Sequence, residues 1–112
     1  MTKQEYLGLY AEGWAKGDLA KIIEATAPGY QFGDPAQGAI AKEKFSAYFD
    51  NFKKQVGQSG DVFMKIDGVI AYEVADHLIA CCRWETTGQK MIGTGLISVG
   101  ANGVEREDVV LL

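Results

Sequence analysis

The sequence has 112 residues, of which 47% are hydrophobic, and a formal net charge of -4. Its lysines and arginines are interleaved with acidic residues, which argues against nucleic-acid binding because phosphate backbones are bound by clustered cations. No apolar run approaches the ~20 residues that a membrane span requires, and the polar start MTKQEYLGLY is unlike a signal peptide. We therefore expect one cytoplasmic domain covering residues 1–112, with neither nucleic acid nor membrane as a partner.

The chain is predicted to begin with a helix. Thr2 and Glu5 have the spacing of a capping box, in which each side chain bonds the backbone N–H of the other. Tyr10 and Trp14 lie four residues apart and so share one face of this helix. Gly17 is placed to end it, since glycine readily adopts the left-handed conformation that closes a helix.

Two further helices are predicted in the first half. Asp18 can cap a short second helix, which we expect to stop at Pro28-Gly29. The segment YQF is predicted as a short strand, followed by a Gly-Asp-Pro corner and a loop. A third helix is predicted over residues 41–55, with Phe49 on its buried stripe.

The second half is predicted to form antiparallel strands joined by tight turns. Asp76-His77 and Asn102-Gly103 are the clearest turn signals. The apolar and alternating stretches around them include VIAYEV, LIACCRWET, KMIGTGLISV and VEREDVVLL. Helices followed by strands predict an α+β fold, with three helices packed on one face of a curved, mostly antiparallel sheet that encloses a pocket.

Few residues are available for metal or thiol chemistry. The chain has one histidine, His77, and two cysteines, Cys81 and Cys82, which are adjacent and would point to opposite faces of a strand. Adjacent thiols of this kind suit packing better than a disulfide or a metal site. We predict neither a metal nor a cofactor.

Two glycines in a predicted strand bear on the size of the pocket. Gly93 and Gly95 are two residues apart and share one face of the sheet. If that face points inward, the missing side chains either leave room for a ligand or let the sheet bend sharply. Both interpretations remain open from the sequence.

The run YAEGWAKGDLAKIIEA…YQFGDPAQG resembles the opening of a ketosteroid isomerase, within the NTF2-like and SnoaL-like superfamily. A helical tyrosine, a Gly-Asp helix break and an Asp-Pro corner stand at matching intervals, at Tyr10, Gly17-Asp18 and Asp34-Pro35. The resemblance is best between Tyr6 and Phe52. It implies a cone-shaped fold and a small apolar ligand, and it implies a homodimer formed through the uncovered face of the sheet.

The resemblance also implies a proton-transfer site. Asp34 matches the general base that removes a proton beside a ketone, and Tyr10 matches the hydrogen-bond donor to the resulting enolate oxygen. A carboxylate facing an apolar cavity should have a raised pKa. The second acid of the isomerase pattern falls at about Gly95, where none is present. Predicted substrate-binding residues are Trp14, Phe49, Trp84 and Gly95.

Three alternatives remain open. Asp34 precedes a proline and can be a turn residue whose carboxylate bonds nearby backbone N–H groups. SnoaL-like polyketide cyclases use an aspartate on a late strand, and Asp108 is the nearest match, although the sequence does not decide which face of that strand points inward. Finally, the chain can be a non-catalytic ligand-binding or dimerisation module.

Overall fold

The structure, a computed structural model, describes all 112 residues. Three helices are present: α1 (Lys3–Lys16), α2 (Leu19–Ala25) and α3 (Lys42–Val56). The predicted caps of the first two are confirmed, because Thr2 and Glu5 form a capping box, Gly17 adopts a φ of 67° and the Asp18 side chain accepts a hydrogen bond from Lys21 N–H. No helix is long and apolar enough to cross a lipid bilayer.

Six strands form one sheet, and most of their neighbours are antiparallel. The strands are β1 (Thr26–Asp34), β2 (Gly38–Ala41), β3 (Met64–Val74), β4 (His77–Thr86), β5 (Ile92–Gly100) and β6 (Gly103–Leu111). Their order across the sheet is β2-β1-β6-β5-β4-β3. The predicted α+β class with three helices on a curved sheet is confirmed, although β1 and β2 precede α3 in the chain.

The first strand corrects two details of the prediction. β1 begins directly after α2, so the helix ends at Ala25 and Pro28-Gly29 lies within the strand. A proline fits there because the register with β6 is interrupted between Thr26 and Gln31, where no regular backbone bond is required. The strand is also parallel to β6, so the sheet is not a pure meander.

The segment after the Asp-Pro corner is strand β2 rather than a loop. It pairs with β1 in an antiparallel hairpin closed by the turn between Asp34 and Gly38. This hairpin fixes the position of the corner relative to the start of α3. The Asp-Pro turn is therefore held at one end of the sheet, beside a helix.

Aromatic side chains from α1, α3 and β1 fill the space between helices and sheet. The Trp14 ring centroid lies 5.2 Å from that of Phe49 and 5.6 Å from that of Phe32. Phe45 and Phe49 are completely buried. This cluster holds α1 and α3 against one face of the sheet and leaves the other face without helices.

Candidate functional site

A cavity of about 280 Å³ lies between the helices and the inner face of the sheet. Its apolar lining comes from both layers and includes Leu7, Trp14, Phe32, Phe52, Met64, Ile66, Trp84, Met91 and Ile97. The exposed lining residues mark its mouth and include Gln37, Asn51, Gln55 and Val69. Its buried polar groups are Tyr10 and Glu107. A small apolar molecule with one polar group matches this distribution.

Glu107 is a buried acid on β6 that the sequence analysis did not select. Its residue surface is only 5% exposed, and its carboxyl borders the cavity. Burial raises the pKa of Glu107 to about 7, because desolvation outweighs the hydrogen bond from Tyr10, which lowers it, and the charge of Asp108 raises it further. Near neutral pH this carboxyl therefore exists in both protonation states.

Tyr10 links Glu107 to a second buried tyrosine. Its hydroxyl donates to Glu107 Oε1 at 2.5 Å and lies 2.6 Å from the hydroxyl of Tyr30. Burial, and then the nearby Glu107 charge, raises the pKa of Tyr10 well above its usual value. Both tyrosines are neutral donors at physiological pH. The three groups form a hydrogen-bonded chain from β1 through α1 to β6.

The two strand glycines face inward, and neighbouring side chains occupy the space beside them. A Cβ on Gly95 would overlap Glu107 Oε2, and one on Gly93 would overlap the Trp84 ring. Glu107 therefore places its carboxyl beside the Cα of Gly95, the position at which the isomerase pattern expects its second acid. Gly95 itself is buried and does not line the cavity.

Asp34 lies at the mouth of the cavity and has the geometry of a turn residue. Its Oδ2 accepts backbone N–H bonds from Ala36 and Gln37, both at 2.8 Å, and its Oδ1 accepts the Tyr48 hydroxyl at 2.6 Å. The expectation of a raised pKa is wrong. Partial burial raises the pKa of Asp34, but the three hydrogen bonds together lower it below its usual value.

Asp108 lies outside the cavity. Strand alternation places Glu107 on the inner face of β6, so Asp108 points to the outer face. There its two carboxylate oxygens bind the Arg106 guanidinium at 2.9 Å each, and the side chain is 45% exposed. The geometry gives this acid a surface ion pair rather than contact with a ligand in the cavity.

Of the four predicted substrate-binding residues, two line the cavity and two, Phe49 and Gly95, do not. Trp14 and Trp84 line the cavity. Phe49 does not, because it lies in the core behind Trp14 and packs against Phe63 as well. Cys82, which was expected to be a packing residue, lines the cavity, and burial raises the pKa of its thiol to about 11. The thiol is therefore protonated at neutral pH.

Three site residues escaped sequence reasoning: Glu107, Tyr30 and Tyr48. The sequence showed that Glu107 and Asp108 take opposite faces of a strand, but the local pattern EREDVV carries no apolar alternation that marks the inner one. No group of three or more His, Cys, Asp or Glu side chains is arranged to hold a metal ion.

Comparison with solved structures identifies the architecture. No family model matches the sequence, and no curated protein matches it. An NTF2-like protein from Anabaena variabilis superposes with a TM-score of 0.71 at 13% identity, covering 97% of this chain and 85% of that one. The fold is NTF2-like.

Two further solved structures share this architecture. TerC, co-crystallised with polyporic acid, has a TM-score of 0.72 at 15% identity, covering 98% of this chain and 91% of TerC. A proposed polyketide cyclase from Xanthomonas campestris has a TM-score of 0.67 at 10% identity, covering 96% and 87% respectively. At these identities the comparisons establish the NTF2-like, cystatin-like fold and no more.

Proposed function

We propose that this NTF2-like protein is a cofactor-independent enzyme that transfers a proton on a small apolar carbonyl compound through an enolate. The observation that carries the proposal is the buried Glu107 carboxyl, bonded to Tyr10 at the inner end of an apolar cavity. TerC, co-crystallised with polyporic acid, and the proposed polyketide cyclase from Xanthomonas campestris support oxygenated ring compounds as the ligand class.

The enolate oxygen is stabilised at the inner end of the cavity. Protonated Glu107 is the neutral donor to this oxygen, through Oε2, and Tyr10, whose one proton is donated to Glu107 Oε1, holds the carboxyl in place. Hydrogen bonds to a developing negative charge are strongest in an enclosed, low-dielectric site. The protonated form of such an acid can donate this bond, whereas the ionised form would repel the oxygen. Glu107 thus supplies the acidic donor that the sequence lacks at position 95.

Asp34 at the mouth is the proposed proton acceptor. Its lowered pKa keeps it ionised at neutral pH, and its hydrogen bonds with Tyr48 and the turn hold it in one orientation. The same bonds weaken it as a base, so the acceptor role depends on close placement of the substrate. In the reaction, Asp34 would take a proton from the carbon beside the carbonyl and return it elsewhere on the enolate.

The pH dependence of turnover tests the role of Glu107. With a bicyclic β,γ-unsaturated ketone as probe, conjugation of the double bond gives an ultraviolet signal. If protonated Glu107 is the donor, kcat/KM falls as pH rises through about 7, and Glu107→Ala lowers it by about 10²–10³-fold. Glu107→Gln, which keeps a neutral donor, should lose this dependence. A rate that rises through pH 7 would make Glu107 the base instead.

Asp34→Asn provides the matched test of the acceptor. It keeps a side-chain oxygen for the turn and removes the charge, so it should abolish turnover while the ketone probe still binds. Full activity in Asp34→Asn would remove Asp34 from the mechanism. Its remaining role would then be the turn that the structure describes.

A non-catalytic binding module is the second candidate. The lowered pKa of Asp34 favours it, because a strongly hydrogen-bonded carboxylate is a poor base. Saturable binding of ketone probes without turnover, in both the parent protein and Asp34→Asn, would support this function over the enzyme.

We also propose a homodimer formed through the outer face of the sheet. No helix covers this face, and it carries exposed apolar side chains at Ile70, Tyr72, Val74, Leu96 and Val110. Sedimentation equilibrium should give a dimer mass for the parent protein and a monomer mass for Leu96→Glu. Val62→Glu, which changes an exposed apolar residue outside the strands, should remain dimeric. A monomeric parent protein would contradict the proposal.

A further inference from the structure

Glu107 has one oxygen without a protein partner. Oε1 accepts the Tyr10 hydroxyl, whereas Oε2 has no hydrogen bond to the protein. The only fully enclosed side-chain polar atom that lacks a partner is Trp14 Nε1, so Oε2 is not sealed within the core. Since Glu107 lines the cavity, Oε2 borders that space.

Position 95 determines whether Oε2 can stay there. Gly95 lies on β5, opposite Val109 on the adjacent β6, and its inward side is where a Cβ would overlap Oε2. The same point lies 3.7 Å from Cys82 Sγ, so the space is bounded by the thiol on one side and the carboxyl on the other. A Cβ at position 95 would require either the Glu107 carboxyl or the β5 backbone to move.

We infer that a ligand hydroxyl or enol oxygen binds Glu107 Oε2 and that Gly95 is the positioning residue that makes this contact possible by having no side chain. This deepens the proposed function and rests on the same cavity. Because Gly95 on β5 has no side chain, the Glu107 carboxyl on β6 can extend over it to contact the ligand. The ligand class is an uncharged, ring-shaped apolar molecule with a single oxygen at the end that enters first.

A pair of ligands that differ by one hydroxyl distinguishes an oxygen-dependent contact from general apolar binding. Naphthalene and 2-naphthol have the same ring system and differ by one hydroxyl, so their affinity ratio reports the polar contact alone. Tryptophan fluorescence can follow both, because Trp14 and Trp84 line the cavity. Binding is measured at pH 6, where most of the Glu107 is protonated.

The parent protein should bind 2-naphthol at least tenfold more tightly than naphthalene. Gly95→Ala should remove this preference and leave naphthalene binding within about twofold, because the apolar walls are unchanged. Gly29→Ala is the matched control: Gly29 also lies in a strand, has an open site for a Cβ, and should retain the preference. Circular dichroism checks that each variant is folded.

If Gly95→Ala disturbs folding, a double variant that moves the carboxyl to the neighbouring strand provides a second test. Gly95→Asp combined with Glu107→Ala moves the carboxyl from β6 to β5 while vacating the space it enters. This double variant should recover the hydroxyl preference that Glu107→Ala alone lacks. A preference that persists in folded Gly95→Ala, or is absent from the parent protein, would overturn the inference.

The binding contact and the proposed enzyme activity can be disproved independently of each other. A hydroxyl preference that depends on Gly95 without any ketone turnover would overturn the proposed enzyme and retain the contact. Turnover with no effect of Gly95→Ala on either binding or rate would retain the enzyme and overturn the contact.

Discussion

Glu107→Gln should be about 3 kcal/mol more stable than the parent protein at pH 8, and about equally stable at pH 4. In the folded protein the pKa of Glu107 is raised from its ordinary 4.5 to about 7, chiefly by burial. The folded state therefore binds more protons than the unfolded state between these values, so stability falls as pH rises from about 4.5 to 7. The difference in pKa corresponds to about 3 kcal/mol, and glutamine carries no such penalty.

The measurement is the free energy of unfolding in urea at several pH values for both proteins. Comparing them cancels the contribution of other groups, including Asp34, whose lowered pKa acts in the opposite direction by losing stability as pH falls. Glu24→Gln, which changes an exposed acid on α2, should follow the parent curve. Parallel curves for the parent and Glu107→Gln would show that Glu107 titrates alike in folded and unfolded chains.

Phe49→Ala should lower the free energy of unfolding by about 3–5 kcal/mol. Phe49 is completely buried and contacts Trp14, Phe45 and Phe63. Its removal leaves a void that tightly packed rings cannot close, so the loss includes both the transfer of the ring and the cost of the cavity. Chemical denaturation at fixed pH measures the change.

Phe52 is the matched comparison on the same helix. It lines the ligand cavity and is only partly buried, so Phe52→Ala should cost less stability and change the affinity for naphthalene more. The conservative Phe49→Leu should leave that affinity nearly unchanged, because Phe49 does not line the cavity. A large loss of ligand affinity in Phe49→Leu, with little loss of stability, would restore Phe49 to the binding site as the sequence analysis predicted.

Local interactions made the helices predictable. The capping box at Thr2 and Glu5, the left-handed Gly17 and the Asp18 cap each depend on residues within a few positions of one another. The start of β1 was less predictable, because Pro28-Gly29 is a typical stop signal in isolation. The irregular register with β6, a strand about 80 residues later in the chain, makes room for it.

The site was only partly predictable. Tyr10, Trp14 and Trp84 were selected from the sequence and line the cavity, and Asp34 lies at its mouth. Asp34 was predicted either to face the cavity or to form a turn, and its position fits both, since a carboxylate that closes a turn can also border a pocket. Its pKa could not be anticipated, because the Tyr48 hydroxyl that helps to lower it comes from a helix that follows the turn.

The sequence by itself determined the helices, the strand-rich second half and the α+β class, because capping, periodicity and turn formation act over short distances. Only the tertiary structure decided that Glu107 faces inward and Asp108 outward. Strand alternation forces the two apart, but the choice of face depends on how β6 packs beneath α1 and between β1 and β5. Burial and the contact with Tyr10 then distinguish Glu107 from the other acids, and both exist only once these strands and helices have come together.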